Sequence, residues 1–173
     1  MPRLRDVRVD RPRLLLVGIN PGLRSGALGH HFAGRGNPFW RLLAAARLTP
    51  VLLDYPEDHR LAEFGIALTN LCPRATRTAA DLTRAEIARG RQALAEKIAR
   101  WRPPVVALVG VSLYGMVFGR GARPGAGEKP ERISDARVFV VPNPSGLNAS
   151  YPGFADKLIW FRRLRRFVDR VTS

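Results

Sequence analysis

The chain has a single cysteine, Cys72, which excludes an internal disulfide and a cysteine-held iron–sulfur cluster. Histidine is nearly as scarce. His30, His31 and His59 are the only imidazoles, so neither a metal-based mechanism nor a cofactor is expected. No apolar run approaches the roughly 20 residues that span a bilayer, and the opening MPRLRDVRVDRPR lacks the apolar stretch and small-residue cleavage site of a secretion signal. A cytosolic protein with no membrane partner is expected. No repeat, low-complexity segment or interdomain linker interrupts the chain. Its 173 residues, 46% of them hydrophobic, suit one domain over 1–173, with 1–12 as a short basic arm.

Acidic residues are also few, 14 Asp+Glu against 29 Lys+Arg, a net charge of +15. That excess is far beyond what solubility requires and implies a polyanionic partner. Lys97, Lys129 and Lys157 are the only lysines, so the positive charge is almost all arginine, whose planar fork suits phosphate.

What is present alternates between strands and helices. Leu14 to Val17 is an apolar run that stops at Gly18-Ile19-Asn20-Pro21-Gly22, where two glycines and a proline force a turn. Asn37-Pro38 caps a helix carrying Phe39, Trp40, Leu42 and Leu43. After a polar stretch from Asp54 to Arg60, Ile66 to Asn70 reads as a second strand, and Asp81-Leu82-Thr83 opens a long helix ending near Trp101. Val105 to Val109 is a third strand, Ser112 to Phe118 a short helix, Gly119 to Pro130 a Gly/Pro-rich loop, and Arg137 to Val141 a fourth strand. The chain closes with an amphipathic helix from about Phe154 to Arg170. Strands apolar on both faces, alternating with helices, predict an α/β fold: three layers, α/β/α, around a mainly parallel sheet of four to five strands, with ligands at the strands' carboxyl ends.

Two carboxyl-end loops share one chemical form, Asn-Pro followed by small residues: Asn20-Pro21-Gly22 and Asn143-Pro144-Ser145-Gly146. Each presents an amide side chain beside an approachable backbone. A lone Asn-Pro is an ordinary turn, but two at strand ends point to a site.

Gly18-Ile19-Asn20-Pro21-Gly22-Leu23, Gly29-His30-His31-Phe32, Gly36-Asn37-Pro38-Phe39-Trp40 and Asn143-Pro144-Ser145-Gly146-Leu147 resemble the mismatch-specific uracil/thymine-DNA glycosylases of the uracil-DNA glycosylase superfamily, from about Leu14 to the C-terminal helix. The resemblance implies a repair enzyme that flips uracil, and in some members thymine or modified cytosines, out of mispairs with guanine in double-stranded DNA and hydrolyses its glycosidic bond. It also implies a monomer. By this resemblance Asn20 positions the attacking water, the Ile19 backbone and Asn143 contact the base, Phe32 stacks on it, and Ser25 lies beside its 5-substituent. Asn70 and Thr76, in Thr69-Asn70-Leu71 and Arg74-Ala75-Thr76, line the pocket. Leu147 becomes an apolar wedge, with Gly146 and Asn148 facing the widowed guanine. Family members often carry arginine where this chain has Ala149.

Several of these residues have a plainer reading. Phe32 packs as readily as it stacks, Asn70 can end its strand and cap a turn, and His31 is either a phosphate or pocket contact or a satisfied loop histidine. Asp81 is the one carboxylate placed to help activate water, but an aspartate opening a helix is more often its N-cap, the reading we favour. Ser145 and the loop arginines Arg24, Arg35, Arg74 and Arg77 are phosphate candidates. Arg162, Arg163, Arg165, Arg166 and Arg170 read as a solvated helix face. The competing reading of the whole chain is a non-catalytic nucleic-acid-binding domain. A nucleotide-phosphate enzyme is disfavoured, because no Gly-Lys-Ser/Thr or Gly-x-Gly-x-x-Gly motif follows the first strand.

Overall fold

The computed structural model describes residues 4–119, 124–146 and 149–173. Five strands form one sheet in the order β2-β1-β3-β5-β4: β1 (Leu14–Gly18), β2 (Ile66–Asn70), β3 (Val105–Val109), β4 (Gly127–Ile133) and β5 (Ala136–Val141). The first three and β5 run parallel, with Leu16 opposite both Leu68 and Ala107, and Ala107 opposite Phe139. Every residue of β1 and β3 is buried, as strands covered on both faces must be.

Alternation along β1 sorts the core into two halves. Leu14 and Leu16 join Phe39, Leu42, Leu43, Phe161 and Leu164, from α2 (Phe39–Ala45) and α5 (Phe154–Thr172). Leu15 and Val17 join Leu94, Ile98, Leu113 and Tyr114, from α3 (Arg84–Trp101) and α4 (Val111–Phe118). The result is the expected three-layer α/β/α arrangement. No helix among the described residues is long and apolar enough to cross a membrane.

The structure departs from the sequence reading in four places. Part of the expected Gly119–Pro130 loop is strand β4, antiparallel to β5, with a register shift between Lys129 and Arg132. Its charged Gly-Glu-Lys-Pro-Glu-Arg-Ile carries Pro130, which an edge strand tolerates because no neighbour needs its missing N–H. Glu128 and Arg137 pair across the two strands. Second, the polar stretch after Asp54 is a 3₁₀ segment, Tyr55–Phe64, capped by the Asp54 carboxylate on Tyr55 N–H. Third, Leu23–Leu28 forms a short helix, α1, so Arg24 is helical rather than in a loop. Fourth, the long helix opens at Arg84 and not at Asp81: Thr83 is its cap, its hydroxyl accepting from Glu86 N–H while Glu86 reaches back to Thr83 N–H at 2.7 Å.

Chain order places β2 on one side of β1 and β3 on the other, so connections diverge at the carboxyl ends of β1 and β3. Parallel sheets open a crevice there. Gly110, ending β3 at φ +119, lies close to both Ile19 and Asn143, the two loops singled out in the sequence.

Candidate functional site

A cavity of about 380 Å³ occupies this crevice, within the usual range for small-ligand sites of about 300–1,000 Å³. Its wall includes Ile19, Asn20, Ser25, His31, Phe32, Asn70, Thr76, Asn143 and Ser145, so residues more than a hundred positions apart meet at one opening. Arg24 and Arg77 also line it, and no carboxylate does among the described residues.

Two hydrogen bonds orient the Asn20 side chain in the wall. Its amide nitrogen donates to the Arg74 carbonyl at 2.9 Å and to the Thr76 hydroxyl at 2.7 Å. A carbonyl can only accept, so the nitrogen must face Arg74. The Asn20 carboxamide is therefore fixed, and no described residue donates to its Oδ1. Thr76 passes its own proton to the Thr78 carbonyl at 2.7 Å, and its N–H donates to the Pro21 carbonyl at 3.1 Å. The Thr76 hydroxyl thus serves Asn20 rather than a ligand.

Phe32 supplies the aromatic surface. Its ring stacks on Phe39 at 3.8 Å and 9°, and Phe39 meets Trp40 edge-on at 5.0 Å. Phe32 thus packs on Phe39 and also lines the cavity. The backbone of Phe32 sits at φ +49, a conformation a bulky residue adopts only under constraint. Trp40 Nε1–H, donating to the Phe32 carbonyl at 3.3 Å, is part of that constraint.

His31 is buried, and Nε2 must be its protonated nitrogen, since it donates to the Arg5 carbonyl at 2.7 Å. Burial, the largest influence, pushes its pKa below the ordinary histidine value despite the opposing pull of that carbonyl and of Asp58. His31 N–H donates to Asp58 at 2.9 Å and the His30 ring lies 3.2 Å from the same carboxylate, tying this loop to the 3₁₀ segment. Leu4, one residue before Arg5, lines the cavity and also a second one of about 570 Å³ beside Asp6, Cys72 and Lys97. Among the described residues no group of three or more His, Cys, Asp or Glu is arranged to hold a metal ion.

The remaining candidates divide. Ser25 Oγ accepts from Ala33 N–H at 3.0 Å, and Arg24 Nε donates to the Ala33 carbonyl at 2.7 Å, with no further partner for its guanidinium among the described residues. Arg77 is exposed and makes no ion pair among the described residues. Arg35 lines a neighbouring recess with Arg24 and Phe32 rather than the cavity itself. Arg74 is a correction: its guanidinium forks onto Glu86 at 2.5 and 3.0 Å, which occupies the face a phosphate would need. That contact, with the Thr83 N–H bond, lowers the Glu86 pKa to about 2.

Asp81 is a second correction. It does not line the cavity, and it caps a different element from the one expected. Its carboxylate accepts from Thr78 N–H at 3.1 Å and the Thr78 hydroxyl at 3.2 Å, closing the 3₁₀ turn Ala79–Asp81. Asn143 Oδ1 accepts from Ser145 N–H at 3.2 Å, and Gly146 sits at φ +87, where a side chain would be strained. The expected wedge and guanine contacts, Leu147 and Asn148, lie outside the described residues.

Sequence reasoning passed over three supporting groups. Gly18 is one: a Cβ there would stand 2.5 Å from Asn70 Oδ1, so glycine makes room for the Asn70 amide. The others are Phe39 behind Phe32 and the Arg74 carbonyl behind Asn20. Phe39 shows as helical core in the sequence, and a backbone carbonyl leaves no trace there.

Residues 6–165 match the family model described as the uracil DNA glycosylase superfamily. Over 164 residues the chain is 34% identical to a Schizosaccharomyces pombe (strain 972) protein named G/U mismatch-specific uracil DNA glycosylase. The alignment takes in 90% of this chain and 50% of that protein, so the chain spans half the length of the relative it matches.

Proposed function

The chain belongs to the uracil DNA glycosylase superfamily, and from that premise we propose that it is a monofunctional DNA-repair glycosylase. It hydrolyses the N-glycosidic bond of uracil in G·U mispairs of double-stranded DNA, as a monomer and without metal or cofactor. The observation that carries this reading is the fixed Asn20 carboxamide facing an aromatic-walled cavity that, among the described residues, has no carboxylate in its lining. The name of the matched relative supports the choice of substrate.

The uracil nucleotide rotates out of the duplex into the cavity, at an unstacking cost that is lower for a mispaired base. Phe32 takes the face of the ring, and the amides of Asn70 and Asn143 meet its polar edges. As the bond from C1′ to N1 lengthens, positive charge grows on the sugar and negative charge on the base, and fixed dipoles around the base lower that barrier. Asn20 Oδ1 accepts a hydrogen bond from water and aims its oxygen at C1′. The water oxygen bonds to C1′, the electron pair of the breaking bond leaves with the base, and the water's proton passes to solvent or to the departing uracil. An amide is too weak a base to remove that proton early, so the enzyme is slow. Arg24 and Arg77 hold flanking phosphates, and the net charge of +15 steers the duplex.

The test is a labelled duplex with one G·U pair, incubated with the protein and treated with alkali. Strand scission at the uracil, undiminished in excess chelator, is expected. Binding without scission would make the chain a nucleic-acid-binding domain instead.

A further inference from the structure

Lys157 is a cation in an unfavourable place. It is the fourth residue of α5, where the helix dipole repels positive charge, and its side chain is only 5% exposed. No carboxylate pairs with it among the described residues. Burial of an unpaired ammonium is costly, and an apolar side chain of similar volume would serve packing at least as well. Its Nζ donates to the Pro144 carbonyl at 3.0 Å. Pro144 belongs to the Asn143–Gly146 loop, whose exposed Asn143 and Ser145 border the cavity. Two hydrogen bonds hold the loop: Lys157 Nζ donates to the Pro144 carbonyl from α5, and within the loop Asn143 Oδ1 accepts from Ser145 N–H.

We propose that Lys157 is a positioning residue that holds the Asn143–Gly146 loop in the shape that presses on the duplex while the base is extruded, an inference that rests on the glycosylase reading. The hydrogen bond to a charged donor is stronger than one to a neutral group, and among the described residues the loop backbone pairs with no strand. A loop held rigid needs no ordering when DNA arrives, so less of the binding energy is lost as the base leaves the stack. Chemistry inside the cavity stays with Asn20, which Lys157 does not touch.

The discriminating variant is K157M, which keeps the volume, removes the ammonium and, by the same desolvation argument, leaves the fold intact. Single-turnover excision is compared on two substrates: uracil paired with guanine in a duplex, and uracil in an unpaired bubble, where extrusion costs little. K157M is expected to slow the paired substrate about tenfold or more and the bubble less than threefold. Equal slowing of both, or of neither, would overturn the proposal, since a role in general stability affects both substrates alike. Hydrogen exchange supplies the second measurement. The Ser145 amide should exchange at least fivefold faster in K157M, with the amides of Val138 to Val141 unchanged. If the wild-type protein frees uracil from neither substrate, the glycosylase reading fails on its own, and unchanged exchange at Ser145 would separately remove Lys157 from the loop.

Discussion

The Asn20 amide nitrogen and the Thr76 hydroxyl oxygen stand 2.7 Å apart, and the hydroxyl proton is committed to the Thr78 carbonyl. That relay sets the direction of Oδ1, so disturbing either residue should act on the chemical step and leave DNA affinity to the phosphate contacts. Asn20→Ala is expected to lower the single-turnover rate by roughly 10² or more, and Thr76→Val by about tenfold, the size of one unmet buried hydrogen bond of about 1–3 kcal/mol. Thr76→Ser should stay near wild type. Filter binding alongside the kinetics checks this, and a parallel loss of affinity would show that the pair serves binding instead.

Asp81 closes a 3₁₀ turn outside the cavity, and asparagine offers the same acceptor. Asp81→Asn should therefore change neither the melting temperature by more than about 2 °C nor the rate by more than about twofold. Thr83→Ala removes the true cap of α3 and should cost about 1 kcal/mol, a drop of roughly 2–4 °C in a chain of this size. A tenfold rate loss in Asp81→Asn at unchanged stability would return the carboxylate to the chemistry.

Asn70 owes its position to the missing Cβ of Gly18. The backbone there is not in the left-handed region, so alanine is conformationally allowed and the conflict is with the Asn70 amide alone. Gly18→Ala is expected to slow excision about tenfold with a melting shift of only a few degrees. In an Asn70→Ala background the same change should have little further effect. Independent, additive losses in the double variant would place the damage elsewhere.

Glu86 links acid stability to the loop that holds Asn20. Its side-chain bond to Arg74 is the largest cause of its lowered pKa, followed by the Thr83 N–H bond, and the folded value is about 2 against 4.5 for the free group. A depressed carboxylate pKa stabilises the folded state fully above the unfolded value, and that contribution fades as pH falls from about 4.5 through about 2. Melting of the wild type and Glu86→Gln from pH 6 downwards should show a gap that is widest at pH 6 and closes across that interval. A gap independent of pH would mean that Glu86 acts through packing. Because the Arg74 side of the pair is half exposed, solvent screening keeps the gap small.

Much of this architecture is legible in residue order, and the exceptions have physical reasons. Leu14–Gly18 and Val105–Val109 are apolar on both faces, which only a covered parallel strand requires, and both appear where expected. β4 escaped because an edge strand carries charge and proline as protection against further pairing, and the same composition reads as a loop. Asp81 and Thr83 are both competent caps two positions apart, and the choice between them turned on Glu86, three residues after Thr83, completing a reciprocal pair. At the site, Asn20 and Phe32 were visible as types in a pattern. Their orientation was not, because it depends on a carbonyl at position 74 and a ring at position 39 that only folding brings alongside.

The partition between the two cavities is made by a strip of chain that is not part of the sheet proper. Leu4 faces both spaces, and behind it Arg5 is fastened to His31, Asp6 to Lys97 at 2.8 Å and to Thr69, and Val7 to Leu68 by one isolated antiparallel bridge. The floor and aromatic wall of the first cavity are held by the sheet and α2, whereas this boundary is a seam of a few separable links. Its width can be altered, by a change at Leu4 or by peeling back the arm, without breaking a rung of the β1–β2 ladder. The width of the first cavity is thereby set by links separate from the β1–β2 pairing, although lifting the arm would uncover Val7, which belongs to the core.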